Sequence, residues 1–427
     1  MQITAPKKVL NGWAMYDWAN SVFNLVITTT FFPIYFNKAT PADIRLFGST
    51  FHNSVLYDYT AALAFLIVAL MSPILSSIAD TRGNKKIFLR FFTTLGSIAC
   101  SALYFFKDSV FGSGETMALY GLACLLFSTI GYCGGLVFYN SYLPEIAAPE
   151  DRDRVSAKGF AMGYIGSVLL QLIGFAMVLT MKDPVKPLLI TFLLVGIWWF
   201  GFAQLTFAVL PASRAPKTTK GNIWKDGFTE LGMVWQQVKH LPVLKRYLAG
   251  FFFYSMGVQT VMLAATFFGA EVLHLDATKL IVTIVIIQLV AIAGANLMSW
   301  LSGKIGNLSV IMIVVLIWIG ICIAGYFMQT ATDFYILASV VGLVMGGIQS
   351  LSRSTYSKLM PETEDTTSFF SFYDVAEKIS IVIGMFSFGF IHQLTGSMRQ
   401  SVLALGVFFI IGLLWVFSAQ QKQKQLA

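Results

Sequence analysis

Apolar stretches of about 20 residues recur along the whole of this chain, each long enough to cross a hydrocarbon core of about 30 Å. No other feature restricts the possible folds so strongly. Lipid offers no partner to a backbone N–H or C=O, so a spanning segment must be a helix or part of a closed barrel. The stretches run continuously apolar without strand-like alternation, which predicts helices. Twelve are read, near 11–36, 55–78, 88–106, 117–143, 159–181, 188–210, 246–270, 280–302, 309–328, 334–359, 371–392 and 400–418. Of 427 residues 56% are hydrophobic and 12% charged, with mean hydropathy +0.72; a soluble chain carries about twice that charge.

The net charge of +8 invites a nucleic-acid reading, but its distribution argues against one. With both termini placed in the cytoplasm, 21 lysines and arginines fall on inner segments and 7 on outer ones, with Lys378 inside the membrane. That asymmetry is the positive-inside pattern and sets the orientation. It predicts a multi-pass protein of a bacterial inner (cytoplasmic) membrane, with membrane lipid as its surroundings and no nucleic-acid partner. Cys100, Cys124, Cys133 and Cys322 lie within apolar spans without paired spacing, as small packing residues do. The start, Met1 to Lys8, leads into a full-length span with no small-residue cleavage site, so no removable signal peptide is expected.

A basic turn with one aspartate, Ser76-Ser77-Ile78-Ala79-Asp80-Thr81-Arg82-Gly83-Asn84-Lys85-Lys86, separates the second and third spans. A weaker copy, Ser299-Trp300-Leu301-Ser302-Gly303-Lys304-Ile305-Gly306-Asn307, separates the eighth and ninth. Thr30-Phe31-Phe32 matches Thr266-Phe267-Phe268, and Leu143-Pro144-Glu145 matches Met360-Pro361-Glu362, in the same order. Such internal repetition predicts two related six-helix halves, 1–210 and 246–427, as transporters have. Residues 211–245 form the linker between them. Its opening, Pro211 to Gly221, is rich in Pro, Lys and Thr and should be irregular. Beyond it Trp224, Gly227, Phe228, Leu231, Val234, Trp235 and Val238 recur at helical spacing, which predicts an amphipathic helix in the inner headgroup region.

Twelve spans, the duplication and this turn make the chain resemble the major facilitator superfamily over nearly its whole length. Trp13 to Ser21, Phe31 to Phe36, Tyr142 to Ile146, Arg154-Val155-Ser156 and Gln349 to Arg353 look like its vacuole-effluxer branch, related to the autophagy-associated vacuolar amino-acid exporters of fungi. The turn departs from the usual pattern, with Ser76 in place of glycine and Asn84 in place of a basic residue. The resemblance implies a secondary carrier of small solutes with rocker-switch alternating access, and amino acids as the leading cargo. It also implies that Asp80, with Arg82 and Gly83 in the turn, closes the inner side by facing the start of the eleventh helix near Ser368–Phe372. A simple turn cap is the plainer role for Asp80.

An ionisable side chain at mid-helix costs at least about 2.5 kcal/mol, so each one needs a reason. Asp17, Asn20 and Asn24 share one face of the first span. Asp17 lies about 8–10 Å inside at a rise of 1.5 Å per residue. Tyr139 and Asn140 end the fourth span; Gly342, Gly346, Gln349 and Arg353 form a stripe on the tenth; Asp374, Glu377 and Lys378 open the eleventh. All converge on the same inner third. They divide among three roles left open here: a gate or structural ion cluster, direct contact with cargo or protons, and solvated helix ends. Arg353 and Lys378 are the cations whose depth suits Asp17, and Asp374 with Lys378 at i, i+4 can satisfy each other. The midplane carries Asn24, Gln171, Gln259 and Gln288 but no charge, which suits a neutral or zwitterionic solute.

A phosphate-cradling Gly-x-x-x-x-Gly-Lys-Ser/Thr loop is absent, which argues against an ATP pump. The four histidines show no metal spacing and no Gly-x-Ser-x-Gly elbow occurs, which argues against an intramembrane lipid-modifying enzyme. A solute-sensing transceptor would lack its output domain. The expectation is a carrier without catalytic residues, metal or cofactor, working as a monomer, with protons as the candidate coupling ion.

Overall fold

The computed structural model describes residues 3–46, 48–112, 114–211 and 223–426, and for 223–228, 266, 267, 277 and 278 the backbone alone. The first span is one helical run in three pieces: α1 (Lys7–Val22), a π-helical stretch Phe23–Phe31, and α2 (Phe32–Ala39). Consecutive threonines serve the widened stretch. Thr28 Oγ1 donates to Phe23 O at 3.4 Å and Thr30 Oγ1 to Leu25 O at 3.2 Å, both five residues back. Pro33 lies inside this continuous run and offers no N–H to the carbonyl five residues back, Thr28 O, which accepts from Tyr57 Oη at 2.8 Å instead.

Beyond it comes a small antiparallel hairpin of β1 (Asp43–Leu46) and β2 (Ser49–His52), with Asp43 opposite His52. The absence of strand pattern in the spans did not reveal it, because it lies in a loop outside them. The chain continues as α3 (Asn53–Arg82), α4 (Lys85–Ala102), a 3₁₀ turn (Leu103–Phe105), α5 (Asp108–Phe111), α6 (Glu115–Asn140), α7 (Leu143–Ile146), α8 (Arg152–Thr180) and α9 (Lys186–Val209). Then follow α10 (Ile223–His240), α11 (Pro242–Glu271), α12 (Ala277–Ile305), α13 (Asn307–Phe327), α14 (Ala331–Leu359), α15 (Thr366–Thr395) and α16 (Met398–Leu426). Eleven helices among the described residues are long and apolar enough to span a membrane. The Lys7–Ala39 run is consistent with one more, its α-helical pieces being 16 and 8 residues long.

Both copies of the turn end on a glycine in the left-handed region, Gly83 at φ 62° and Gly306 at φ 84°. A side chain there would strain the backbone, so glycine lets α3 and α12 stop sharply and α4 and α13 begin. The linker segment 212–222, the side chains of Trp224, Lys225, Asp226 and Phe228, and those of Thr266 and Phe267 in the repeat lie outside the described residues. Within α10, Val234 and Val238 are buried and Trp235 stacks on Phe372 of α15 at 6.0 Å.

Packing resolves two compact units. One comprises Lys7–Tyr139 and Met162–Thr219; the other comprises Met1–Pro6, Asn140–Ala161 and Lys220–Ala427. In the former, α9 packs on α1 and α4, and Trp199 lies on Gly96. Gln171 Nε2 on α8 donates to Thr30 Oγ1 at 3.2 Å, an interhelical bond of the kind amides make in membranes. The four cysteines are buried and unbridged.

In the other unit α12 and α14 pack most closely. Gly342 faces the backbone carbonyl of Ile287, and Gly346 that of Ala291. These glycines therefore form a helix-packing face, where small residues let backbones approach. Gly346→Leu would drive a side chain into the Ala291 carbonyl and should destabilise the protein by about 1–3 kcal/mol or more. Thermal unfolding in detergent measures this, and an unchanged midpoint would contradict the packing assignment.

Candidate functional site

The polar face of α1 is enclosed within the first unit. Asp17 is 4% exposed and Asn20 fully buried, while Asn24, one turn on, is half-buried. Tyr139 Oη donates to Asp17 Oδ2 at 2.8 Å. That tyrosine is held on two sides: its ring stacks on Trp13 at 4.5 Å, and Trp13 Nε1 donates to its carbonyl at 3.0 Å. Gly163 and Gly166 of α8 lie against Ser21 and the Trp18 carbonyl, so α8 closes over this face. The Asn20 side chain is left half-used. Its Oδ1 takes a long bond of 3.5 Å from Ser21, and its Nδ2 is buried without an acceptor. Tyr139→Phe should cost about 1.5–3 kcal/mol, the usual worth of a hydrogen bond to a charged group. Thermal unfolding tests this against Tyr120→Phe, whose hydroxyl donates to a main-chain carbonyl.

In the other unit Lys378 Nζ lies 3.1 Å from Asp374 Oδ1 and 3.0 Å from Glu377 Oε2. The i, i+4 pair expected from spacing is therefore formed. Gln259 Nε2 reaches Glu377 Oε1 at 3.5 Å, and Asp374 Oδ2 is buried without a hydrogen-bond partner. Beside them, Tyr254 Oη and Ser352 Oγ lie 2.7 Å apart, and Tyr247 Oη donates to Ser352 O at 2.8 Å.

Arg353 is 3% exposed. Its Nη1 donates to Asn140 Oδ1 at 3.2 Å, Nε to Ser156 Oγ at 2.9 Å and Nη2 to Ser156 O at 2.9 Å. Its guanidinium also covers the Phe160 ring at 4.3 Å. A planar fork that donates on three sides is a use lysine could not imitate. Gln349, one turn earlier on α14, is half-buried.

A second cluster was not foreseen. Asp153 Oδ2 pairs with Lys358 Nζ at 2.5 Å and accepts from Ser302 Oγ at 2.9 Å. Its Oδ1 accepts from Asn307 Nδ2 at 2.7 Å. Asn307 in turn donates to Thr355 Oγ1 at 3.0 Å and accepts from Lys358 at 3.1 Å. Next to Asp153, Arg152 donates to the carbonyls of Ala147, Pro144 and Ser357. Thr366 Oγ1 donates to Glu145 at 2.8 Å. The chain start joins in: Thr4 Oγ1 donates to Asp151 at 2.6 Å and Ala5 N to Ile146 O at 2.8 Å. The Thr4 hydroxyl, and after it Arg154, hold the Asp151 carboxyl below its ordinary range. Together these bonds clasp the connection between the fourth and fifth spans to the ends of α12, α14 and α15 and the start of α13. Ser302 and Asn307 belong to the second copy of the repeated turn, the signal from which this cluster was legible.

In the first copy, Asp80 is half-buried at the end of α3 and Arg82 exposed, with Gly83 forming the cap. The structure thus joins Asp17 to Tyr139, Asn140 to Arg353, and Gln259 to Glu377, Lys378 and Asp374.

A bundle of this helix count, with buried charges inside apolar spans, is the architecture of the major facilitator transporters. The chain is similar to the proton:xylose symporter XylE, with TM-score 0.72 at 11% identity over 96% of this chain and 94% of that one. It is likewise similar to the fucose:proton symporter FucP of E. coli, with TM-score 0.69 at 13% identity over 96% and 97%. The profile of the family "Vacuole effluxer Atg22 like" matches residues 5–426, and the chain belongs to that family. The MFS-type transporter YxiO of Bacillus subtilis is 30% identical over 413 residues, 94% of this chain and 92% of that one. Autophagy-related protein 22-2 of Aspergillus oryzae is 25% identical, over 90% of this chain and 77% of its own. The protein is a multi-pass membrane transporter and not an enzyme.

Proposed function

We propose that the protein exports a small zwitterionic solute, with amino acids as the leading class, by alternating access coupled to protons through Asp17. The unsatisfied amide of Asn20 on α1 carries this reading. An unsatisfied buried amide costs about 1–3 kcal/mol, so the Asn20 Nδ2 group is best accounted for by an acceptor that arrives with the cargo. A zwitterion brings a carboxylate for Asn20, and its ammonium group suits the neighbouring Asp17 carboxylate. The uncharged polar groups deeper in the spans suit the same class. Outward movement follows the family description, which is that of a vacuole effluxer.

In this reading Asp17, Asn20, Asn24, Tyr139 and Gln259 line the path. Asp80 and its turn, with Asp374, Glu377 and the clasp around Asp153, hold the inner side shut. Each turnover releases the clasp and remakes it. The protein sits in a bacterial inner membrane with its termini and the 211–245 linker in the cytoplasm.

The test is uptake of labelled amino acids into sealed vesicles, with and without an imposed pH gradient, after a thermal-stabilisation screen of candidate solutes. Zwitterionic amino acids should stabilise the protein, and their methyl esters, which lack the carboxylate, should not. Equal stabilisation by acid and ester would overturn the assignment of Asn20.

A further inference from the structure

A cavity of about 60 Å³ lies among α11, α12, α13, α14 and α16, lined by Val261, Ala264, Phe268, Ile287, Ala338 and Val402 among others. It is at the far end of its unit from the clasp: Ala338 and Lys358 are 20 residues apart on α14, about 30 Å at 1.5 Å per residue. It therefore belongs neither to the clasp nor to the α1 site. Its one polar lining side chain, Thr283, spends its hydroxyl on Lys279 O at 2.8 Å. About 10–15 Å³ suffices for a water, yet a site without polar partners stays dry and takes apolar guests. Of its lining residues only Ala265 and Leu337 are half-exposed, and Ile336 beside them is 62% exposed on the helix surface. These exposed apolar side chains mark the opening, and a hydrocarbon chain is the guest they suit.

Arg399 stands at this cavity. Arg399 Nη1 donates to the carbonyls of Tyr326 and Met328, and its guanidinium lies 5.8 Å from the Phe268 ring; Met328 and Phe268 both line the cavity. Its Nε and Nη2 hydrogens have no partner among the described residues. Asp276 and Asp333, acids at this end, are committed to capping α12 and α14.

We propose that this cavity is a binding site for an anionic phospholipid, with an acyl chain in the apolar space and the phosphate at Arg399. Apolar walls take up the chain, and the Nε and Nη2 hydrogens of a guanidinium already fixed by backbone carbonyls donate to the phosphate oxygens. A neutral lipid can fill the same space but forgoes the charge.

The experiment titrates the purified protein in neutral detergent with phosphatidylglycerol, phosphatidylcholine of the same chains, and soluble glycerol phosphate. Binding is followed by native mass spectrometry and by thermal unfolding. Phosphatidylglycerol should bind more tightly than phosphatidylcholine, and Arg399→Gln should weaken it about fivefold to the level of the neutral lipid. Ala338→Phe and, independently, Ala264→Leu fill the cavity and should reduce binding of both lipids. Three results would overturn the proposal: equal affinity of the two lipids for the unmodified protein, full lipid binding by both filled variants, or the same stabilisation by glycerol phosphate alone.

Discussion

Asp153→Ala should destabilise the protein by about 3–5 kcal/mol, the penalty for removing one member of a buried ion pair. The side chain of Asp153 is 8% and that of Lys358 24% exposed, so little water is at hand to replace the lost carboxylate. Three donors each lose one acceptor together: the Lys358 ammonium, the Ser302 hydroxyl and the Asn307 amide. Asp153→Asn keeps an acceptor oxygen and should lose less. The double variant Asp153→Leu with Lys358→Met removes both charges and should recover much of the deficit, because paired apolar replacements leave no orphaned charge. Thermal unfolding supplies the size of the effect, and hydrogen exchange over 140–161 supplies its place. Loss of protection confined to that segment and to the ends of α12 and α14 is the expected pattern. A single variant as stable as the parent would remove the clasp from any account of the inner side.

Asp17→Asn should abolish accumulation while leaving exchange intact. With one proton carried per solute, a pH difference of one unit is worth about 1.4 kcal/mol, which sustains a concentration ratio of about tenfold. Asparagine keeps the shape of the side chain and can still accept from Tyr139, but it cannot bind and release a proton near neutral pH. The variant should therefore equilibrate solute to a ratio of about one under the same gradient. Counterflow of labelled against unlabelled solute should continue at saturating solute, with weaker apparent affinity because the amide brings no charge to the ammonium group. Persistence of tenfold accumulation would move the coupling group elsewhere, and unchanged affinity would remove Asp17 from the cargo contacts.

The spans were legible because lipid imposes one rule on every segment it surrounds, and their apolar runs match the eleven long helices from α3 onward closely. The β1–β2 hairpin was hidden because a loop outside the membrane answers to no such rule. Asp374 with Lys378 was readable from spacing alone, since a helix brings i and i+4 together. Asp17 with Tyr139 was readable only as a shared depth: both were placed in the inner third, but distance between helices is set by packing. Gly342 and Gly346 were read as part of a polar stripe, yet they serve the approach of α12 to α14. A glycine does not declare in sequence whether it faces a backbone or a cavity. Asp153 was overlooked because its neighbours are polar, and in a polar connection a buried acid looks like a solvated one.

The first span holds a different kind of information in its π-helical stretch. Between Phe23 and Phe31 each backbone hydrogen bond reaches one residue further than in an α-helix, and threonine hydroxyls take up carbonyls five residues back. Such a segment works like a slipped thread in a screw. If it reverts to α-helical pitch, the faces beyond it turn by about 100° per residue gained or lost. Asp17 and Asn20 lie before the slip, and Phe32, Tyr35 and Phe36 after it, all of them buried. A change of pitch confined to this stretch would thus re-index one end of the rod against the other, and the aromatic side chains packed beyond it set the cost of doing so.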